Sequence, residues 1–194
     1  MNQRVLNVPY LTQPDPNTCQ STCLKMYALY MERWLKVCSV ATGKSISDIH
    51  KEVPNNTHQS FVEWLDKYFA PYSFARFQYS KAQDAAEKVK FSINRGFPLL
   101  ISTNHVRTSG HIILAIGYIS DASPTGNGQI DFVCHDPYGK FNPELKSDLY
   151  GKRRLEGGAC LVTGGEQGPG AAVIYDSTGI ERARDGTWVL ITAK

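Results

Sequence analysis

The sequence predicts an α+β fold in which a group of helices precedes an antiparallel β-sheet. Through the first half of the 194-residue chain, apolar residues recur at the spacing of amphipathic helices. From Pro98 onwards, the apolar residues instead form short β-rich runs that are separated by turn residues. Helices and strands that are segregated along a chain in this way are typical of α+β domains.

The longest predicted helix covers residues 19–37. Asn17 or Thr18 is its expected N-cap, which places Cys19 in the first turn. Its apolar stripe is expected to face the core and consists of Cys23, Met26, Tyr27, Tyr30, Trp34 and Val37.

Three shorter helices are predicted after the first, over residues 45–51, 61–69 and 82–94. Ser45 or Ser47 is the expected cap of the first of these. Proline stops the second at Pro71, and glycine closes the third after Arg95, at Gly96.

Strands are predicted over residues 98–103, 111–120, 129–134, 171–175 and 188–192. Residues 121–128 are expected to form a hairpin loop between two of them. The Gly-rich segment 151–170 surrounds a short predicted strand over residues 159–163. This segment is either a mobile loop that borders a cleft or an ordinary surface loop.

Size and composition favour one domain, residues 1–194, with a sizeable core. An apolar content of 42% and a charged content of 20% are ordinary for a globular protein. The formal net charge of +3 gives no reason to expect nucleic acid as a partner, although it favours approach to an anionic surface such as a bacterial wall. We expect a monomer with neither nucleic acid nor membrane as a partner.

The cysteine count and the N-terminal residues bear on where the protein is made. Five cysteines with no CxxC pair exclude a fully paired disulfide scaffold and favour synthesis in a reducing compartment. The first residues lack the apolar core of a signal peptide, and no stretch is long enough to span a membrane. We therefore expect synthesis in the cytoplasm without a signal peptide, so that an extracellular target would need another delivery route.

The start of the first helix carries the residues expected of a cysteine hydrolase. A thiol needs help to become a thiolate at neutral pH, and a helix N-terminus and a nearby imidazolium both provide it. Cys19 lies at such a helix start, and Gln13 precedes it by six residues. The Gln13 amide and the Cys19 backbone N–H are therefore the expected donors to a developing oxyanion.

A base and an orienting carboxylate are expected further along the chain. His111 opens one apolar strand, and Asp136 follows another. His111 is the expected general base and acid, and Asp136 would hold its imidazole in the useful tautomer. His105 lies in a polar segment. His135 is next to Asp136 and should face away from the cleft, because adjacent strand residues point to opposite faces.

Each of these residues also has an ordinary structural interpretation. Most cysteines are inert core residues, which is the interpretation favoured for Cys23, Cys38, Cys134 and Cys160. A lone His before an apolar run is more often a strand end than a base, and a lone Asp-Pro is usually a turn. The functional interpretation depends on the ordered combination of Gln, Cys, His and Asp.

That combination resembles a known family over roughly residues 5–140. The spacing of Gln13, Cys19 and Cys23 is similar to that in the bacteriocin-processing (double-glycine) peptidases and their wider relatives in the papain-like superfamily. Further segments resemble the entry strand, the G-x-P-hydrophobic strand, the histidine strand and the aspartate turn of that family: residues 8–10, 96–101, 110–118 and 135–139.

The resemblance implies a papain-like fold, with N-terminal helices packed on an antiparallel β-sheet. It implies that Cys19 is the nucleophile, His111 the general base and acid, Asp136 the orienting residue and Gln13 the oxyanion donor. Many relatives have Gly after the nucleophile, whereas this chain has Gln20, which is expected to narrow the cleft or contact substrate together with Gly110. That departure, and the lack of a transporter region, argue against leader peptides as the substrate.

The chain also resembles the papain-like domains of bacteriophage endolysins and virion-associated lysins. This likeness implies hydrolysis of peptide or amide bonds in peptidoglycan, after holin-type release or as part of a virion. The alternative is a protease or effector that acts on a protein substrate.

Two other classes of function are open at this stage. A zinc enzyme could draw ligands from His105, Cys134, His135 and the two candidate catalytic residues His111 and Asp136, although their spacing matches no zinc pattern. An inactive papain-like binding module is disfavoured because all four catalytic residue types are present. We expect no cofactor and no metal requirement.

Overall fold

The computed structural model describes residues 2–37, 40–53, 57–103, 110–120, 130–139, 153–154, 168–176 and 187–194. Within these ranges the α-helices are α1 (Cys19–Leu35), α2 (Ile46–Glu52), α3 (His58–Tyr68) and α4 (Ala82–Asn94), with a 3₁₀ turn at Val40–Gly43. The strands are β1 (Asn2–Val5), β2 (Phe74–Tyr79), β3 (Leu99–Thr103), β4 (His111–Ser120), β5 (Ile130–His135), β6 (Arg153–Arg154), β7 (Val173–Asp176) and β8 (Trp188–Ala193).

The described strands form one antiparallel sheet in the order β2-β8-β3-β4-β5-β7-β6. Strand β1 pairs with the second half of β4, from Gly117 to Ser120, while β3 pairs with its first half. Six of the eight described strands follow the last helix, as predicted, whereas β1 precedes the helices and β2 lies between α3 and α4. The predicted α+β class, with helices packed on an antiparallel sheet, is confirmed.

Strand β4 is the centre of the core, because all ten of its residues are buried. Helices α1 and α4 pack against it, and β5 and β8 are buried along their whole length. At Gly117 a side chain would collide with the backbone of Arg4 and with Val5 of β1, so glycine permits β1 to pair closely there. A strand enclosed in this way gives His111, its first residue, a fixed position.

The predicted helices occur near their expected bounds. Helix α4 has the predicted limits, and α2 begins after Ser45, whose side chain forms a reciprocal capping box with Asp48. Helix α3 begins at His58 with Thr57 as its N-cap, three residues before the predicted start.

Helix α1 is shorter than predicted, and one residue of its predicted core stripe is exposed. Lys36 adopts a left-handed conformation, with φ of 58°, and ends the helix before Val37. Trp34 is 45% exposed, whereas its neighbour Leu35 is partly buried against the core. The expectation that Trp34 faces the core is therefore wrong.

Two strands differ from the sequence prediction. The entry strand expected over residues 8–10 is instead β1, and residues 8–10 are buried without strand pairing, where Pro9 has no N–H to donate. Strand β2 was not predicted, although its sequence alternates apolar and polar residues. The predicted loop over residues 121–128 and the strand over residues 159–163 lie outside the described residues.

Candidate active site

Cys19 is the first residue of α1, so the expectation of a cysteine in the first helical turn is confirmed. Thr18 is the N-cap, but its hydroxyl donates to the Asp15 carbonyl at 3.2 Å and makes no capping hydrogen bond. One turn later, the buried Cys23 thiol donates to the Ile112 carbonyl at 3.5 Å. This contact holds the start of α1 over the start of β4.

His111 and Asp136 meet because β4 and β5 are antiparallel. Leu114 of β4 pairs with His135, the last residue of β5, so the residue that follows β5 lies beside the beginning of β4. The His111 Nε2 and the Asp136 Oδ1 are 2.8 Å apart, and the two side chains are buried. Because Nε2 is engaged by the carboxylate, Nδ1 is the nitrogen left to face the thiol.

Besides its contact with His111, the Asp136 carboxylate accepts further hydrogen bonds. The Tyr138 backbone N–H donates to Oδ1 at 2.9 Å, and the Tyr175 hydroxyl donates to Oδ2 at 2.9 Å. Burial and the negative charge of Asp136 raise the pKa of Tyr175 well above its ordinary value, so the hydroxyl stays protonated as a donor. Sequence reasoning missed Tyr175, whose only signal was its place in a predicted closing strand.

The end of the Gly-rich segment packs against the Asp136 turn. The Asp136 N–H donates to the Gly170 carbonyl at 2.8 Å, and the Tyr10 hydroxyl donates to the Asp136 carbonyl at 3.2 Å. A side chain at Gly170 would collide with the Asp136 carbonyl, and one at Gly139 would collide with the Gly170 backbone. Glycine at these two positions therefore permits the close contact; most of segment 151–170 lies outside the described residues.

The electrostatics of Cys19 and His111 favour an ion pair. Burial opposes the charged form of Cys19, but the hydrogen bond and charge of His111 outweigh it and lower the pKa of the thiol below 9.0. Burial likewise opposes the charged form of His111, but Asp136 and Cys19 together raise the pKa of the imidazole to about 10. Both shifts favour a thiolate beside an imidazolium.

In the other described cysteines, burial favours the protonated thiol. Burial raises the pKa values of Cys23 and Cys134 well above the ordinary thiol value. Their predicted role as core residues is confirmed by this burial, while Cys38 and Cys160 lie outside the described residues.

His135 is engaged away from the site, as the alternation of strand residues predicts. Its Nε2 lies 2.8 Å from the Val8 carbonyl, and its Nδ1 accepts a hydrogen bond from the Ala172 N–H at 3.1 Å. Neither ring nitrogen is available to Cys19 in this arrangement. His105 lies outside the described residues.

Gln13 is fully buried in the loop before α1. Its backbone N–H donates to the Pro137 carbonyl at 2.9 Å, which joins this loop to the Asp136 turn. The side-chain Nε2 donates to the Asp15 carbonyl at 2.6 Å, and this bond uses one of its two N–H groups. The contact matches the structural alternative for this residue, a bond to the loop backbone, and the oxyanion role stays a prediction.

The two candidate substrate-binding residues lie directly beside the catalytic candidates. Gln20 is only 4% exposed, and its amide contacts both Cys19 and His50. Gly110 precedes His111 and has a φ of 92°, a left-handed conformation that favours glycine. Contact of either residue with substrate stays a prediction.

The described ranges also bear on metals and membranes. Within them, no three His, Cys, Asp or Glu side chains are grouped so as to hold a metal ion. None of the described helices is long and apolar enough to cross a bilayer.

Comparison with known proteins adds two findings. The model of the Peptidase_C39 like family matches residues 5–156. The solved structure of UfSP from C. elegans is similar, with a TM-score of 0.56 and 11% sequence identity. That similarity covers 100% of this chain but only 34% of the UfSP chain, and at this identity it shows the fold alone. No curated protein sequence matches the chain significantly.

Proposed function

This chain belongs to the Peptidase_C39 like family of cysteine peptidases, and we propose that it hydrolyses amide bonds through Cys19, His111 and Asp136. The observation that carries this proposal is the 2.8 Å bond between His111 Nε2 and Asp136 Oδ1 in a site that lowers the pKa of Cys19. A buried carboxylate that raises the imidazole pKa supports a stable thiolate–imidazolium pair.

The first half of the proposed reaction forms an acyl-enzyme. The Cys19 thiolate attacks the carbonyl carbon of the scissile amide, and the carbonyl oxygen becomes an oxyanion. The Cys19 backbone N–H and the second N–H of the Gln13 amide are the proposed donors to that oxygen. The carbon–nitrogen bond then breaks as His111 gives its proton to the leaving amine, which leaves a thioester on Cys19.

The second half of the reaction restores the enzyme. His111, now neutral, takes a proton from a water molecule, which attacks the thioester carbon. The carbon–sulfur bond breaks and releases the product as a carboxylic acid, which loses its proton to solvent, and the imidazolium of His111 is again paired with the Cys19 thiolate. Asp136 keeps Nδ1 of His111 directed at the sulfur in both halves.

The proposed substrate is bacterial peptidoglycan, cut at a peptide or amide bond. The net charge of +3 supports approach to an anionic wall, and the sequence resembles the papain-like domains of phage endolysins and virion lysins. Delivery would then follow holin-type release or carriage in a virion, and a monomer would be sufficient.

Mass spectrometry of digested peptidoglycan tests this proposal. The wild-type protein should release muropeptides with new free amines, whereas Cys19→Ala should release none. Cys23→Ala, with the folded fraction measured separately, is the matched control for the loss of a thiol and should keep activity. If no muropeptide changes but a protein extract gains new Cys19-dependent N-termini, the substrate is a protein and the wall assignment is wrong.

A further inference from the structure

The Gln20 side chain connects the candidate nucleophile to helix α2. Its Oε1 accepts a hydrogen bond from the Cys19 Sγ at 3.3 Å. Its Nε2 donates to the Asn17 carbonyl at 3.1 Å and lies 3.1 Å from the Nδ1 of His50. The amide thus joins the sulfur, the turn before α1 and a histidine thirty residues further along the chain.

The partners of Gln20 determine which way its amide faces. The Asn17 carbonyl can only accept, so the atom beside it must be the amide nitrogen and the atom beside the sulfur must be the amide oxygen. The remaining N–H of Nε2 then points to His50, whose Nδ1 must be the acceptor.

Helix α2 holds His50 in place through contacts on its other side. Lys25 of α1 donates to the Lys44 carbonyl at 2.7 Å, just before α2 begins. Lys44 forms a 2.7 Å ion pair with Glu52, the last residue of α2. Glu52 also accepts hydrogen bonds from Trp64 at 2.9 Å and Tyr68 at 2.8 Å, both on α3. These bonds tie α2 to both neighbouring helices.

We propose that Gln20 and His50 form a positioning pair that holds the protonated form of Cys19 and tunes how readily the thiol loses its proton. The inference rests on the proposed function in one respect, because it takes Cys19 as the nucleophile. His50 fixes the amide of Gln20, and Gln20 presents an acceptor to the sulfur. Neither residue needs to touch the substrate for this role.

The proposed effect follows from what an amide oxygen can bind. It accepts a hydrogen bond from a thiol, but it has no hydrogen to offer a thiolate. Gln20 Oε1 therefore stabilises the protonated form and offsets part of the stabilisation that His111 gives the thiolate. Removal of this acceptor should lower the pKa of Cys19.

The test is the pH dependence of Cys19 alkylation by iodoacetamide, measured by peptide mass mapping. Gln20→Leu should move the midpoint down by about half a unit, the shift expected for losing one neutral hydrogen bond. His50→Leu should move it in the same direction by a smaller amount, because the amide keeps its bond to the Asn17 carbonyl but its oxygen is less firmly fixed against the sulfur. His50→Asn should keep the wild-type midpoint, because its side-chain oxygen can replace Nδ1 as the acceptor.

The double variant Gln20→Leu/His50→Leu should shift no further than Gln20→Leu alone, because the histidine acts only through the amide. The titratable groups that face Cys19, which are His111 on β4 and Cys23 one turn along α1, are the same in all variants. If Gln20→Leu does not fold, Gln20→Met serves as the second variant.

Three results would overturn the positioning pair: unchanged midpoints with only a lower melting temperature, an upward shift in Gln20→Leu, or the same shift in His50→Asn as in His50→Leu. Alkylation needs no substrate, so these results are independent of whether any bond is hydrolysed. A protein that shows the shifts but cleaves neither peptidoglycan nor protein would contradict the proposed function and leave the pair supported.

Discussion

His111 and His135 are both buried, and each is close to Asp136, yet their pKa values move in opposite directions. Burial alone lowers the pKa of His135 to about 4, since its hydrogen bond to the Val8 carbonyl offsets little of the desolvation. Burial acts on His111 in the same direction, but the Asp136 carboxylate reverses it and raises the pKa to about 10. A direct carboxylate contact, rather than burial, separates a candidate catalytic histidine from a structural one.

The largest expected effect comes from removing the carboxylate that distinguishes the two histidines. Asp136→Asn should lower kcat by about 10³-fold or more, because His111 loses both its tautomer control and its raised pKa. Steady-state kinetics on the folded protein measures this loss. Turnover close to wild type in Asp136→Asn would show that the contact does not orient a catalytic base.

The next effect concerns the oxyanion rather than the base. Gln13→Ala should lower kcat by about 10²-fold, the usual scale for losing one oxyanion donor. Gln13→Glu is the matched control, because it keeps the size of the side chain but removes the N–H groups. If both variants lower the melting temperature while the folded fraction turns over normally, the bond from Gln13 to the Asp15 carbonyl is its whole role.

A smaller effect is expected from Tyr175, which donates a hydrogen bond to the Asp136 carboxylate. Tyr175→Phe removes the donor to Asp136 Oδ2 and should lower kcat by about tenfold, with a stability loss of about 1 kcal/mol for one buried hydrogen bond. If Tyr175 positions the carboxylate, Tyr175→Phe should also shift the pH profile of kcat/KM, because a less constrained Asp136 changes the pKa of His111. A lower melting temperature with an unchanged profile would mean that Tyr175 is only a packing residue.

His135 should make the free energy of unfolding depend on pH in the acid range. Burial lowers the pKa of His135 in the folded protein to about 4. Between about pH 6.5, the ordinary pKa of histidine, and pH 4, the unfolded chain therefore binds a proton at this residue and the folded chain does not. Stability should therefore fall by about 1.4 kcal/mol per pH unit from pH 6.5 towards pH 4 on this account. His111 has the opposite sign: its contribution is complete below pH 6.5 and is lost as the pH rises towards 10.

Urea unfolding between pH 5 and 7 measures the contribution of His135. His135→Gln retains a donor for the Val8 carbonyl and an acceptor for the Ala172 N–H without a titrating group, so its stability should change less over this range. Equal pH dependence in the two proteins would exclude His135 as the source.

Some features of the fold and of the candidate site could be predicted from the sequence, and others depend on tertiary packing. The four described helices, the limits of α4 and the positions of His111 and Asp136 at strand ends were all readable from local patterns, whereas β1 and β2 were not. The partners of those residues were not, because Tyr175 reaches Asp136 only through the pairing of β5 with β7, and His50 reaches Gln20 only through the packing of α2 on α1. The exposure of Trp34 likewise depends on which face of the last turn of α1 packs against the core, where Leu35 is partly buried.

The most direct test of the central claim is the alkylation rate of each cysteine as a function of pH, in wild-type protein and in His111→Ala. Cys19 should react fastest near neutral pH, with a midpoint below 9.0, and His111→Ala should raise that midpoint, because the imidazolium no longer stabilises the thiolate. Faster labelling of Cys23 or Cys134, or a Cys19 midpoint that does not change in His111→Ala, would contradict the account.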